Sequence, residues 1–365
     1  MASFFISRCL LLLLLVLSRL LVVPAIAVQV KEAVGSFNSI YSFGDIGDSS
    51  TSSAADHIAA ALSLPFPQPF SQQDTEFFEM ASHHHCSLMI QHRLSPSCSS
   101  SIKIASFFMT GKNKVLQKAL IFMDQPGIND YKQAFLHGKS ISEAGHLVPE
   151  VVATIKNSVE RLINEAGAKT VMVSGVLPMG CFPGFQTLFP EGDSIGKGRC
   201  HKGLNMFARL HNDHLWQAIL ELRLEHPAVH IIYADYYKAF MAVVKNHAFL
   251  GFKTKTLMKA CCGSGNGPFN FDVQKKCGEE GVTTCSDRAM YIHWDGFRLT
   301  PKALENLIDT LFSKKGFIFP EIKFGEETTA AVERHHSRIH GGVRDTSSIV
   351  RHLLCLSQFS IFNYV

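Results

Sequence analysis

The sequence predicts an α/β fold in which a parallel sheet is covered by helices on both faces. Two observations carry this. Short apolar runs without polar alternation recur along the chain, as strands buried on both faces read. Longer helical segments separate them, which is the alternation of a covered parallel sheet. The composition agrees, with 46% hydrophobic and 18% charged residues in a chain of 365. That is apolar enough for a sizeable core and too sparsely charged for a disordered chain.

The elements follow in order. Ser39–Phe43 (SIYSF) is a β-branched and aromatic run that ends in Gly44-Asp45, a strand feeding a loop. A Ser/Thr-rich loop at Ser49–Ser53 precedes Ala54–Leu64, which has helical composition and stops at Pro65. Lys118–Asp124 (KALIFMD) is a buried-type strand running into Gly127-Ile128-Asn129-Asp130. Ser140 and Glu143 match a capping box, and a helical pattern runs from there to Ala166, with Gly167 as the stop. Pro149 within it implies a kink or a late start. Lys169–Val176 and Val229–Tyr233 are further strands, Lys202–Glu225 is an amphipathic helix, and Pro301–Phe312 is a last helix with proline in its first turn. In such sheets ligands sit beyond the carboxyl ends of the strands. The residues just after the strands therefore carry the functional information.

The N-terminus sets an expectation for the compartment. Arg8 precedes an apolar run broken by Ser18 and Arg19 and ending in Ala25-Ile26-Ala27. A basic start, an apolar centre and small residues at the end read as a signal peptide over 1–27. A secreted protein without a stable membrane anchor is expected, since no later stretch reaches about 18 uninterrupted apolar residues. Of ten cysteines, cleavage removes Cys9 and leaves nine, so most should pair and at least one is left over. No N-x-S/T sequon occurs. From about Gly325 the composition turns polar and irregular, and 325–365 reads as a tail.

Several ligand classes are not expected. A formal net charge of +4 is too mild and too scattered for nucleic acid. His83-His84-His85-Cys86 is one tract without further spaced ligands and reads as a solvated loop. Cys261, Cys262, Cys277 and Cys285 lack zinc spacing and suit disulfides. Gly263–Gly267 has no following Lys-Ser/Thr and is not a phosphate loop. Neither a metal nor a cofactor is expected.

Four segments together resemble the plant GDSL esterase/lipase family of SGNH hydrolases. They are IYSFGD at Ile40–Asp45, GINDY at Gly127–Tyr131, VLPMGCFP at Val176–Pro183, and CCGSGNGPFNF with YIHWDGFRLT at Cys261–Phe271 and Tyr291–Thr300. The resemblance covers about Ser39 to Phe319. It implies a flavodoxin-like three-layer sandwich with a central parallel sheet over 28–324. It also implies hydrolysis of carboxylic esters, with a small ester or a lipid as substrate.

The family's chemistry uses a serine after the first strand, a histidine that takes its proton, an aspartate three residues before that histidine, and an oxyanion hole. By resemblance, Asn129 matches the oxyanion-hole asparagine and Asp295 the triad aspartate. The family histidine is absent: Arg298 stands in its place. Arginine stays protonated and cannot act as a general base; an ion pair with a rim carboxylate, Asp295 or Asp45, is the expectation. His293 lies two positions before Asp295 instead of three after it, and a rotation of roles onto it is a further alternative.

The nucleophile is displaced too. Phe43-Gly44-Asp45 runs directly into Ile46-Gly47-Asp48-Ser49. One alignment deletes the family serine and leaves Ser49 in the loop. A second takes Gly47-Asp48-Ser49 as the motif, at the cost of an odd shift that turns side chains to the other face. The block that carries the family's oxyanion glycine is also missing, which reads as an internal deletion near 46–56. Two functions stay open: a secreted ester hydrolase, impaired or working through Ser49, and a non-catalytic binding or scaffold protein or product of a decayed gene.

Overall fold

The computed structural model describes residues 32–33, 37–44, 53–62, 64, 116–190, 200–265 and 267–323. The signal-peptide segment, Asp45, Ser49, positions 46–52 of the deletion near 46–56, the His83–Cys86 tract and the 325–365 tail lie outside the described residues.

In chain order the elements are β1 (Glu32–Ala33), β2 (Ser39–Gly44), α1 (Ala54–Ala61), β3 (Ala119–Asp124), α2 (Ile128–Leu136), α3 (Ile141–Gly145), α4 (Val148–Asn164) and β4 (Thr170–Ser174). They continue with α5 (Pro183–Leu188), α6 (Lys202–Glu225), β5 (His230–Ala234), α7 (Tyr236–Lys245), β6 (Cys262–Gly263), β7 (Thr283–Thr284), α8 (Pro301–Ser313), β8 (Ile318–Phe319) and β9 (Ile322–Lys323).

The central sheet has the order β2-β3-β4-β5-β8. Its first four strands are parallel and in sequential register, with Tyr41 beside Ile121, Ile121 beside Val171 and Val171 beside Ile231. The fifth, β8, pairs antiparallel with β5, so the sheet is mostly rather than wholly parallel. Every residue of β3 and of β4 is buried. That is why both read as continuous apolar runs: neither face meets water. The helices flank this sheet in two groups. On one side α4 packs on α6; on the other α7 packs on α8, and α8 on α1.

Local chemistry sets the helix ends. Ser53 and Asp56 form a capping box on α1, as do Ser140 and Glu143 on α3. The expected helix from Ser140 to Ala166 divides at His146-Leu147, and α4 starts afresh with Pro149 in its first turn. The proline thus marks a late start, where its missing N–H has no partner to lose. Helix α1 stops at Ala61, short of the expected Leu64. Helix α6 has the expected bounds. Its buried face carries Leu204, Phe207, Ala208, Leu215, Ile219 and Leu222 at helical spacing, and Asn205, His211 and Asn212 among them.

Three disulfides link Cys181 to Cys200, Cys261 to Cys285 and Cys262 to Cys277. The adjacent Cys261 and Cys262 therefore reach two different partners and tie the segment before the last helix to its own loop.

Candidate active site at the carboxyl ends of the strands

The loop that leaves β3 is fixed from below. The Gln125 backbone, at φ 46°, donates its N–H to Ser174 Oγ at 2.7 Å. Gly127 follows at φ 92°, and a Cβ there would lie 2.6 Å from Val151 Cγ1, so both conformation and space call for glycine. Helix α2 then begins, with Asn129 buried in its first turn. The positive end of the helix dipole lies at that turn, which favours negative charge beside it.

Tyr131, in the same first turn, is fully buried and hydrogen-bonds through its hydroxyl to His211 Nδ1 at 2.7 Å. Its ring meets Phe207 edge-on, with centroids 4.7 Å apart. Burial pushes the His211 pKa down to about 3, so the imidazole is neutral, and it holds the Tyr131 phenol above its ordinary range. A neutral imidazole in the middle of α6 thus pins the turn that carries Asn129.

The loop that leaves β4 is held by two asparagines of the same helix. Asn212 Oδ1 accepts from Val176 N at 2.8 Å, and Asn212 Nδ2 donates to the Val176 carbonyl at 3.0 Å. The side-chain amide stands in for a neighbouring strand and satisfies both backbone groups of a buried residue. Asn205 Oδ1 accepts from Gly180 N at 2.9 Å, and His201 N donates to the Gly180 carbonyl at 2.7 Å. A Cβ on Gly180 would overlap the His201 carbonyl oxygen, so the close approach requires glycine.

The third component is the turn Trp294–Arg298. Asp295 Oδ1 accepts from the backbone N–H groups of Phe297 and Arg298, both at 2.8 Å. Asp295 Oδ2 accepts from Arg298 Nε at 2.7 Å. The carboxylate therefore takes three donors from its own turn. The turn docks through Gly184 N, which donates to the Gly296 carbonyl at 2.7 Å, and through Phe297, whose ring lies 5.1 Å from that of Phe185. Lys132 of α2 sits over the Phe297 ring at 5.5 Å. These contacts reach the segments that leave the carboxyl ends of β3 and β4, so the turn lies against the same rim. Gly44 pairs in register with Asp124, so β2 also ends there. Asp45 and Ser49, which follow, lie outside the described residues.

His293 does not take the base's place. Its ring is fully buried, 4.8 Å edge-on from Phe182 and 6.1 Å from Phe240. Among the described residues neither ring nitrogen has a hydrogen-bond partner, and burial lowers its pKa to about 3. A group sealed from solvent cannot shuttle a proton to a substrate, which removes the rotated role.

Sequence reasoning singled out Asn129, Asp295 and Arg298. It passed over Gln125, Ser174, Asn205, His211 and Asn212, which hold the two loops. The available signal was polar residues at positions 205, 211 and 212 on the apolar face of α6.

A parallel sheet with an asparagine-bearing helix start and an aspartate turn at one rim defines an SGNH-type hydrolase scaffold. Comparison with known proteins agrees: the GDSL-like Lipase/Acylhydrolase family matches residues 16–311, and the chain belongs to that family. It is 37% identical over 203 residues to GDSL esterase/lipase At1g28640 of Arabidopsis thaliana, covering 55% of this chain and 51% of that protein. It is 33% identical over 284 residues to GDSL esterase/lipase At5g03980 of the same plant, covering 73% and 85%. It is 32% identical over 288 residues to Acetylajmalan esterase 1 of Rauvolfia serpentina, covering 73% of each. The chain spans about half the length of the first curated relatives it matches.

Proposed function

We propose that this chain is a secreted carboxylic ester hydrolase of the GDSL type whose catalysis is impaired. The observation that carries the reading is the 2.7 Å contact between Arg298 Nε and Asp295 Oδ2. In a working triad the aspartate orients an imidazole, and the imidazole takes the proton of the serine. Here the matching carboxylate faces a guanidinium, which keeps its protons at neutral pH. Losing the nucleophile or the base of a triad costs on the order of 10⁶ in kcat.

The remaining features fit an ester site that keeps part of its machinery. Asn129, on a helix start, is the candidate oxyanion donor. Asp295 is the candidate triad aspartate, and Ser49 the candidate nucleophile. A small ester or a lipid is the proposed substrate class; two relatives carry the name Acetylajmalan esterase. Three disulfides support an oxidising compartment. Among the described residues no helix is long and apolar enough to cross a membrane.

The test is the initial rate of p-nitrophenyl acetate hydrolysis by the purified chain and by Ser49→Ala. Equal rates, close to those of buffer, are expected. A rate that disappears with Ser49→Ala would make Ser49 a working nucleophile and end the impaired reading.

A further inference from the structure

The segment from the end of α7 to β6 carries exposed positive charge and an exposed aromatic tip. From Tyr236 to Phe271 the chain has five lysines and no carboxylate, more positive charge than the whole chain carries net. Lys238 is neutralised by Asp235 at 2.8 Å. The other four, Lys245, Lys253, Lys255 and Lys259, are exposed, and among the described residues none has an ion pair. A further cation, Lys302 of α8, joins them. Its Nζ lies 4.8 Å over the Phe252 ring and donates to the Ala289 carbonyl at 3.1 Å. Asp287 and Arg288, both exposed nearby, offset each other.

Phe249 stands at the tip, 85% exposed, more than any other large hydrophobic among the described residues. The loop that presents it is a built turn. Leu250 N donates to the Asn246 carbonyl at 3.1 Å, Gly251 N to the Ala248 carbonyl at 3.1 Å, and Phe252 N to the His247 carbonyl at 2.8 Å. Phe252 is buried beneath, so the loop is anchored by one phenylalanine and displays another.

We propose that this segment, with Phe249 at its tip and Lys245, Lys253, Lys255 and Lys259 exposed on either side of it in the chain, docks on an anionic lipid surface. Charge complementarity and an inserting aromatic are the two signals that reversible membrane docking combines. A soluble polyanion without rings, such as a sulfated or carboxylated polysaccharide, would use the lysines but has no place for a bare phenyl ring. Leu224 gives an internal contrast. It is also 77% exposed, but Glu221 and Glu225 beside it on α6 share Lys156 at 3.0 Å each, so its surroundings carry no excess of positive charge to attract an anionic surface.

The experiment is co-sedimentation of the full chain with phosphatidylcholine vesicles, neutral or containing about 30% phosphatidylserine. Partitioning at least about tenfold stronger onto the anionic vesicles is expected, falling as salt rises. Phe249→Ser should weaken it roughly tenfold, the burial of one phenyl group. The double change Lys253→Glu with Lys255→Glu should weaken it by more than tenfold, and Leu224→Ser should leave it unchanged. Phe249→Trp should bind like the parent, with indole emission shifting blue on anionic vesicles only. Equal binding to neutral vesicles, full binding by Phe249→Ser, an equal loss with Leu224→Ser, or an unshifted indole would each overturn the proposal. Loss with the lysine changes but not with Phe249→Ser would assign the surface to a soluble polyanion instead.

Discussion

The two loops that leave β3 and β4 and the turn at Trp294–Arg298 lie against one rim, yet they are held in different ways. Side chains from a distant helix support the loops: His211 on Tyr131, Asn212 on both backbone groups of Val176, and Asn205 on Gly180. The turn is supported mainly by itself, through three hydrogen bonds onto Asp295 from Phe297 and Arg298. The side chains that shape the two loops thus have long-range partners. Arg298, which stands by resemblance at the family histidine's position, keeps its protons at neutral pH. Shaping the loops and moving a proton depend on different residues, so one can change without the other.

If that contrast is right, the largest effects of substitution fall on the loops. Gly180→Ala forces a methyl group into the His201 carbonyl oxygen, and a loss of roughly 3 to 5 kcal/mol or failure to fold is expected. Urea unfolding would measure it. Asn212→Ala leaves the Val176 N–H and carbonyl buried without partners, for a loss of about 3 kcal/mol. A midpoint like that of the parent would mean that the amide clamp contributes nothing.

Acid sharpens the comparison further. His211 lies under the loops and His293 under the turn, both fully buried with pKa pushed down to about 3 by desolvation. Below the ordinary histidine value of about 6.5 the unfolded chain binds protons that the folded chain refuses. The stability that rests on their neutrality is complete above about pH 6.5 and is lost as pH falls toward 3, by about 1.4 kcal/mol per pH unit for each histidine. His293→Leu should flatten that decline relative to the parent in a series of unfolding curves. Parallel curves would mean that His293 does not titrate with unfolding.

The smallest effects belong to the turn. The Arg298 side chain is 32% exposed and that of Asp295 15%, so Arg298→Ala should cost within about 1 kcal/mol. Arg298→His should not by itself raise ester hydrolysis, because a base without a placed nucleophile has little to act on. Turnover from that single change would show a nucleophile already in position.

Much of this scaffold was legible in the sequence. The apolar runs at positions 118–124 and 169–176 became β3 and β4 because burial on both faces leaves no polar alternation to misread. Helix α6 was legible from its period. Helices α2, α5 and α7 were not. The first two are nine residues or fewer and begin at loop-forming glycine and proline. Helix α7 (YYKAFMAVVK) is rich in aromatic and β-branched residues that favour strands, and its helix is fixed by packing on α8. The antiparallel β8 is two residues long and has no period to read. At the site, Asp295 and Arg298 are three residues apart and their pairing could be expected from spacing. The bonds from Asn205, His211 and Asn212 to the loops span 25 to 80 residues, and no local pattern announces them.

Whether Ser49 is activated can be read by treating the folded protein with a fluorophosphonate probe and mapping adducts by peptide mass spectrometry. An activated serine displaces the probe's fluoride and keeps a stable Oγ–P bond. No adduct at Ser49 is expected under conditions that fully label an active GDSL esterase. A stoichiometric adduct on Ser49, abolished by prior unfolding, would make it a working nucleophile and end the impaired reading.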